Sequence, residues 1–284
     1  MNPFRIDGPA VVSFSGGRTS ALMLHHMLEA WGGELPADVH VLFANTGKER
    51  EETLEFVRDC AEHWKVLVRW LEYRNDEQGW AEVDFASASR KGEPYSALIL
   101  KRKYLPNPVT RFCTEELKIR VFRNWMKASG FEHWTNAVGL RFDEPGRVAR
   151  MSANNRGERW DVACPLYDAR ITKADVEKFW GGQPFDLKLK PWEGNCDLCF
   201  LKGRAKRMRI MRDRPDLAEW WIQAEQTIRL AGGLTGRGDT FRSDVPSYAT
   251  LLSQTQGQPE LPFVGASPAE SEDDLADCMC GGAE

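Results

Sequence analysis

The sequence contains no run of about eighteen uninterrupted apolar residues, the length that a membrane-spanning helix needs. Its first eight residues also lack the apolar core of a secretory signal peptide. These absences predict a cytoplasmic protein without a membrane partner. Because the cytosol keeps thiols reduced, the seven cysteines are not expected to form a disulfide framework, and clustered cysteines are better explained by metal binding or catalysis.

Positive charge is missing from the end of the chain. Residues 265–284 hold six acidic residues and no lysine or arginine, so we expect an acidic, mobile tail there. The rest of the chain carries 38 basic and 36 acidic side chains. Residues 202–214 hold seven basic residues opposed only by Asp213. Such a cluster either binds phosphates of a nucleotide or nucleic acid, or is a solvated helix face.

Short apolar runs alternate with helical patterns, in a chain that is long enough and apolar enough to bury a core. This alternation predicts an α/β fold with a doubly wound parallel sheet, whose ligands bind at the carboxyl ends of the strands. Strands are predicted at 10–14, 39–44, 66–71 and 134–140, and helices at 21–28, 51–64, 115–128, 173–180 and 216–230.

Composition divides the chain into three predicted regions. Residues 1–190 form an α/β nucleotide-binding domain, in which the polar, proline-containing segment 74–110 is a loop-rich insertion rather than a fourth β-α unit. Residues 191–232 form a smaller helical part that bears cysteines and basic residues. Residues 233–284 are expected to be irregular and mobile.

A glycine pair separates the first predicted strand from the first predicted helix. The backbone of a glycine turn approaches an anion closely, and the amino end of the following helix favours negative charge. The spacing differs from the G-x-x-x-x-G-K-S/T loop of kinases and GTPases. The turn is therefore either a different phosphate-binding loop or only a tight turn before a capped helix. It consists of Ser15, Gly16, Gly17, Arg18, Thr19 and Ser20.

This turn resembles the S-G-G-x-D/T/S-S signature of PP-loop proteins, the superfamily that includes ATP pyrophosphatases and phosphoadenosine phosphosulfate (PAPS) reductases. Three further similarities follow in the order of that family, within about residues 10–150. They are Asn45-Thr46-Gly47 with Glu49, the run from Arg111 to Lys118 (R-F-C-T-E-E-L-K), and the run from Gly139 to Arg147 (G-L-R-F-D-E-P-G-R). The resemblance implies an adenine nucleotide alpha hydrolase-like fold that binds ATP or PAPS.

The resemblance also implies roles for single residues. The first loop would hold the nucleotide phosphates, with Arg18 and Arg141 acting in catalysis. Many ATP-hydrolysing members have aspartate where this chain has Thr19, which leaves open how Mg²⁺ would be bound. Asn45 and Thr46 would lie beside the nucleotide. Arg141, Glu144 and Arg147 would line the far side of the pocket, and a surface salt-bridge cluster is the alternative for them.

Two cysteines form a C-x-x-C motif, Cys196 and Cys199, a spacing that lets two thiolates reach one metal or cluster. Together with Cys113 they resemble the ligands of iron–sulfur members of the PAPS and adenosine phosphosulfate reductase family, although Phe112 replaces one cysteine of that family's pair. Cys164 or a tail cysteine would be the fourth ligand, or the fourth position would stay open. A [4Fe-4S] cluster, zinc, a redox dithiol and buried thiols remain alternatives.

Cys280, followed by Gly281 in the acidic tail, loosely resembles the catalytic cysteine of PAPS reductases. It would attack the sulfur of the substrate, carry persulfide sulfur, or have no role. Cys60, on the apolar side of a predicted helix, is expected to be a core residue.

The leading interpretation is a sulfurtransferase that uses ATP to adenylate an acceptor and then replaces AMP by sulfur. The basic segment 202–214 would hold tRNA or DNA, and a protein such as a cysteine desulfurase would supply sulfur. The alternatives are an oxidoreductase acting on PAPS or adenosine phosphosulfate, and a nucleotide-binding partner protein without turnover.

Overall fold

The computed structural model describes residues 2–155, 157–231 and 238–256. A six-stranded sheet lies at its centre, in the order β4-β3-β2-β1-β5-β6. Five strands are parallel, and β4 runs antiparallel to β3 at one edge. The strands are β1 (Ala10–Ser13), β2 (Val39–Asn45), β3 (Val68–Tyr73), β4 (Trp80–Val83), β5 (Trp134–Val138) and β6 (Trp160–Ala163).

Helices cover both faces of the sheet, which confirms the predicted α/β class. None of the helices in the described part of the chain is long and apolar enough to cross a membrane. The helices are α1 (Arg18–Ala30), α2 (Glu51–Trp64), α3 (Glu93–Arg102), α4 (Phe112–Thr114), the π-helical segment Glu115–Ile119, α5 (Arg120–Ala128), α6 (Pro145–Asn154), α7 (Pro165–Asp168), α8 (Lys173–Trp180), α9 (Arg204–Asp213), the 3-10 turn Pro215–Leu217, α10 (Ala218–Leu230) and α11 (Tyr248–Gln256).

Alternation along the strands sorts the core into two layers, because successive side chains of a strand point to opposite faces. Val12 and Phe43 pack with α1, α2 and α8, whereas Val11 and Leu42 pack with α3, α5 and the later helices. The strand order reverses between β1 and β5, and this switch is where a doubly wound sheet binds its ligands. The loop from β1 to α1 leaves the sheet at that switch.

The predicted bounds of α2 and α8 agree with the structure. The prediction that 74–110 is loop-rich is wrong in part, because this segment contains β4 and α3. Helix α3 forms because Tyr95, Leu98 and Ile99 are buried against the core. The segment still adds no further parallel β-α unit, since β4 is an antiparallel edge strand.

The prediction of irregular structure from residue 233 onward is wrong for α11. The Tyr248 ring stacks on Trp221, with centroids 5.2 Å apart, and its hydroxyl donates a hydrogen bond of 2.6 Å to the carbonyl of Leu198. These contacts anchor α11 beside the C-x-x-C loop. The acidic tail and Cys280 lie outside the described residues.

Candidate nucleotide and cysteine site

The loop between β1 and α1 has the geometry of an anion-binding turn. Gly16 adopts a φ of +76°, and a Cβ there would lie 2.7 Å from the side chain of Thr53, so this position requires glycine. The Ser15 and Ser20 hydroxyls are 2.8 Å apart. Helix α1 begins directly after Gly17 and has no acidic residue in its first turn. The positive end of its dipole is therefore available to an anion.

A cavity of about 440 Å³ opens at this loop and is within the size range of small-molecule sites. Its walls combine the phosphate loop, five basic side chains and the C-x-x-C loop. Among the residues that the structure describes, two acidic ones, Glu177 and Glu193, line it. This balance of charge suits an anionic ligand such as a nucleoside triphosphate. The basic and cysteine lining residues besides Arg18 are Lys118, Arg141, Lys173, Lys190, Lys202, Cys196 and Cys199.

Arg18 lines the cavity, but its guanidinium is already paired. It donates two hydrogen bonds, of 2.7 and 2.6 Å, to the carboxylate of Asp186 and one of 3.2 Å to the carbonyl of Leu187. A phosphate contact from this side chain therefore requires the pair with Asp186 to open. The catalytic and phosphate-binding roles of Arg18 remain predictions.

Arg141 lies across the loop from Arg18, where its Nη1 is 3.4 Å from the hydroxyl of Thr19. It also forms ion pairs with Asp143, at 3.0 Å, and with Glu144, at 3.3 Å. Glu144 in turn pairs with Arg147. The structure thus brings Thr19 and the three predicted far-side residues together, as an ion-pair network of which Arg141 reaches the cavity.

The Asn45 side chain is held by contacts within the protein, and its position beside the nucleotide remains a prediction. It is completely buried, and its amide nitrogen donates to Glu72, at 2.7 Å, and to the carbonyl of Ser89, at 2.8 Å. Its carbonyl accepts a hydrogen bond of 3.1 Å from the backbone of Gly47. With these bonds in place, Asn45 shapes the loop after β2.

Thr46 is engaged in the same loop. Its hydroxyl lies 2.8 Å and its backbone nitrogen 2.8 Å from one carboxylate oxygen of Glu49. Glu49 also forms an ion pair of 3.5 Å with Lys118, which lines the cavity. The Thr46 side chain is therefore part of the wall that positions Lys118, and its contact with a nucleotide remains a prediction.

The C-x-x-C loop is fixed to this β2 loop by main-chain and ionic contacts. The backbone of Arg50 donates to the carbonyl of Asn195, at 2.7 Å, and the backbone of Asp197 donates to the carbonyl of Lys48, at 2.9 Å. The Lys48 ammonium and the Asp197 carboxylate, both buried, lie 2.7 Å apart. Asp197 also accepts a hydrogen bond of 2.8 Å from the indole of Trp221. Cys196 is thereby held beside the β2 loop.

The phosphate loop itself also contacts this motif. The Asn195 side chain donates a hydrogen bond of 2.9 Å to the carbonyl of Ser15. The Lys202 ammonium donates to the carbonyl of Cys196. The Asn195 hydrogen bond therefore connects the phosphate loop directly to the C-x-x-C loop.

Cys113, Cys196 and Cys199 all act electrostatically on the buried Tyr95, and their role as ligands of one metal centre remains a prediction. Burial and the neighbouring thiols, Cys113 foremost, raise the pKa of Tyr95 well above its usual range. Cys113 comes from the start of α4 and the other two from the loop before α9. Cysteine thiolates are the ligands that hold iron–sulfur clusters, and with these three a fourth ligand position would stay open or be filled by another group.

Closed zinc coordination fits this arrangement less well. Tetrahedral zinc, with Zn–S bonds of about 2.3 Å, holds its sulfur ligands about 3.8 Å apart. Within the described ranges, the one group of three or more histidine, cysteine or acidic ligand atoms that lie within 4.8 Å of one another contains no cysteine. A cluster of several irons spreads its thiolate ligands farther apart than a single ion does.

Cys164 does not join the other three cysteines, and we correct its assignment as the fourth ligand. It is buried with Val138, Leu140 and Met151 beyond the end of β6. Strand β6 is three strands away from β2, which amounts to about 14 Å of sheet. Cys60 is a core residue, as predicted, and burial raises the pKa of its thiol.

The basic segment 202–214 is only partly exposed, contrary to the interpretation of the whole run as one phosphate-binding surface. Lys202 and Arg207 are buried, and the Arg207 guanidinium lies over the Tyr248 ring. These two side chains are buried because α9 packs against α11. The exposed members are Arg204, Arg212 and Arg214.

Four site residues were given no role in the sequence analysis. Lys48 and Asp197 each sit next to a quoted motif residue, but their pairing depends on contact between loops that are far apart in sequence. Tyr95 lies in segment 74–110, which the sequence predicts to be loop-rich. Lys118 was quoted as the last residue of the third motif, a position that could have been assigned to the pocket.

Comparison with known proteins identifies the class to which this site belongs. Residues 9–180, more than half of the chain, match the family described as phosphoadenosine phosphosulfate reductase domain. The chain therefore belongs to the PAPS reductase domain family, which confirms the predicted PP-loop class. This membership supports a nucleotide-binding, sulfur-related enzyme.

Two relatives extend the comparison. The uncharacterized nin region protein ORF290 of Escherichia phage lambda is 31% identical over 205 residues, which cover 69% of this chain and 67% of that protein. The uncharacterized protein MJ0066 of Methanocaldococcus jannaschii is 28% identical over 222 residues, 76% of this chain and 41% of that protein. A solved structure, the U34-tRNA thiolase NcsA from Methanococcus maripaludis with its [4Fe-4S] cluster, has 13% identity and a TM-score of 0.35, with 97% of this chain and 80% of that chain covered.

Proposed function

We propose that this protein is an ATP-dependent sulfurtransferase that acts on nucleic acid. The observation that carries the proposal is a single cavity lined by the phosphate loop, by basic side chains and by two cysteines. A nucleotide-activating centre and a sulfur-handling centre therefore share one space. Sulfur transfer through an adenylated acceptor needs both.

The phosphates of ATP would lie on the amino end of α1, with Ser15 and Thr19 donating hydrogen bonds. Lys118 and Arg141 would bind the charge that develops as the bond between the α- and β-phosphates breaks. An oxygen of the acceptor attacks the α-phosphorus, and pyrophosphate leaves. A sulfur nucleophile then attacks the activated carbon, and AMP leaves with the original oxygen.

Cys113, Cys196 and Cys199 are the residues that would hold an iron–sulfur cluster, which supplies an iron site for a sulfide ligand when it is bound. The Lys48–Asp197 pair would keep the cysteine loop beside the phosphate loop. Arg204, Arg212 and Arg214, the exposed basic residues near this loop, would contact the phosphate backbone of the acceptor.

The reaction is tested by pyrophosphate release from ATP, with anaerobically purified protein and either tRNA or DNA added. We expect release that depends on one of the two acceptors and that falls at least tenfold in Lys118→Met, because the lysine binds developing charge. Lys127→Met is the matched control, an exposed lysine in α5 of the same helical run. An equal loss in both variants, or no release with either acceptor, contradicts the proposal.

The second candidate, reduction of PAPS or adenosine phosphosulfate, is supported by the family match. It predicts release of sulfite from the sulfonucleotide and none of pyrophosphate from ATP. Measuring both products in one preparation separates the two reactions. A protein that binds nucleotide and releases neither product would be the partner protein without turnover.

The cysteine centre has its own test. We expect anaerobic protein to be brown and to contain iron and sulfide, and we expect Cys113→Ser, Cys196→Ser and Cys199→Ser each to lose the colour. Cys164→Ser and Cys60→Ser serve as controls and should keep it. Colour that survives in all three of the first variants would contradict this ligand set.

A further inference from the structure

A second cavity, of about 400 Å³, lies apart from the phosphate loop. Its floor is formed by β1, β5 and β6, and its walls come from residues 102–123 and from the region of α6 and the turn after it. It shares no lining residue with the nucleotide and cysteine site. Its volume is within the range of about 300–1,000 Å³ that small-molecule sites occupy.

One side of this cavity is aromatic. Trp134 and Trp160 are partners in the register of β5 and β6, and their rings stack with centroids 5.5 Å apart and an interplanar angle of 22°. Both rings line the cavity although each residue is more than nine-tenths buried. Flat heterocycles stack on such surfaces, and each of the nucleobases can do so because every base has a flat face.

The cavity is also rich in arginine. Among the described residues, four arginines line it together with Glu115 and Glu158, and two of the four, Arg102 and Arg120, also form ion pairs with Glu116. The Nε and Nη2 atoms of Arg111 and the Nε of Arg120 are buried and have no hydrogen-bond partner among the described residues. Buried donors without a partner are costly, and guanidinium groups bind phosphates in a two-pronged geometry. These nitrogens therefore point to an anionic ligand.

The floor offers a polar patch between the aromatic wall and the arginines. Ser13 and Asn136 lie on neighbouring strands, and the Ser13 hydroxyl donates a hydrogen bond of 2.6 Å to the Asn136 carbonyl oxygen. Both line the cavity. Side-chain amides and hydroxyls at such a place can recognise the polar edge of a base.

We propose that this cavity binds a nucleoside monophosphate, with the base against Trp134 and Trp160 and the phosphate against Arg111. A stacking wall, a polar floor and unpartnered guanidinium nitrogens match the base, its edge and the phosphate. The ligand is either a free nucleotide or the phosphorylated end of a strand, since both present the same group. The site is separate from the sulfur-transfer reaction and does not depend on it.

The test is a titration of the full-length protein with AMP, GMP, CMP and UMP, followed by tryptophan fluorescence. Binding of at least one nucleotide should quench the fluorescence, because the base lies on two of the tryptophans. Affinity should fall about tenfold or more in Arg111→Gln and should be lost in Val162→Trp, which fills the cavity from β6. Arg150→Gln removes an exposed arginine of α6 outside the cavity and should have no effect.

A further variant separates this site from the phosphate loop. Gly17→Asp places a carboxylate in that loop and should leave monophosphate binding unchanged. Arg123→Gln replaces Arg111→Gln if the latter disturbs folding, which circular dichroism and thermal unfolding would reveal. A 5′-phosphorylated dinucleotide that competes with the monophosphate indicates a strand end, and one that does not compete indicates a free nucleotide. The proposal is overturned if none of the four nucleotides binds, or if binding is lost only in Gly17→Asp.

Discussion

Gly16 provides a direct test of the phosphate-loop geometry. In Gly16→Ala, the alanine would have to adopt the left-handed backbone conformation of the glycine, which costs about 1–2 kcal/mol. The new Cβ would also lie 2.7 Å from the Thr53 side chain and 3.0 Å from that of Val57, and such overpacking of a core costs about 1–3 kcal/mol. Together the two effects predict a loss of about 2–5 kcal/mol in the free energy of unfolding.

Gly32 supplies the matched control, because its φ of +73° is nearly the same and a Cβ there meets no atom within 4 Å. Gly32→Ala should therefore lose only the backbone contribution, about 1–2 kcal/mol. Urea unfolding at 25 °C measures both variants. If both lose the same free energy, the steric contact at Gly16 is not what constrains the loop, and the reasoning is refuted.

Three further predictions concern buried charges and the exposed basic surface. Lys48→Met should cost about 3–5 kcal/mol in urea unfolding, because Asp197 would remain buried without its counter-charge, and adding Asp197→Leu should recover part of the loss. Burial raises the pKa of Glu225 to about 7, so the native carboxyl keeps its proton between pH 4.5 and 7 while the unfolded one has lost it. Stability should fall by up to about 3 kcal/mol as pH rises through that window, and Glu225→Gln should flatten the fall in unfolding curves at pH 5 and pH 8. Arg204→Gln with Arg212→Gln should weaken nucleic-acid affinity and reduce its salt dependence in filter binding, and an unchanged salt slope would speak against this surface.

Four of the five parallel strands, and the helices α1, α2, α5, α8 and α10, followed from local signals, whereas β6 was not predicted. Hydrophobic periodicity predicts a helix at 51–64, and α2 has these bounds in the structure. The prediction works because this helix buries a single apolar stripe. Segment 74–110 defeated the same reasoning. Helix α3 has a weak apolar pattern, and it is stabilised by contacts with α10, which lies more than a hundred residues later. The residue pattern within one segment does not reveal a contact with a helix so far along the chain.

The site shows the same division. Motif order predicted that the phosphate loop, Arg141 and the cysteines belong to one site, since the carboxyl ends of parallel strands meet at one edge. It did not predict the internal contacts of Asn45, because an amide beside a glycine turn suits a ligand contact and a buried structural role equally well. Its burial against Glu72 and Ser89 depends on β3 and on the chain beyond β4. Cys164 was misassigned because its distance from Cys196 is set by strand order.

The contacts around Asp197 explain how a nucleotide bound at one loop could affect chemistry at the other. Asp197 binds Lys48 of the β2 loop and Trp221 of α10, so the C-x-x-C loop is fixed from both sides. Its neighbour Asn195 binds the carbonyl of Ser15 in the phosphate loop. Any movement of the phosphate loop on binding ATP therefore pulls on the residue next to Cys196. A change in the visible spectrum of anaerobic protein on adding ATP, reduced in Asn195→Ala, would reveal this connection, and an identical change in that variant would exclude Asn195 as its carrier.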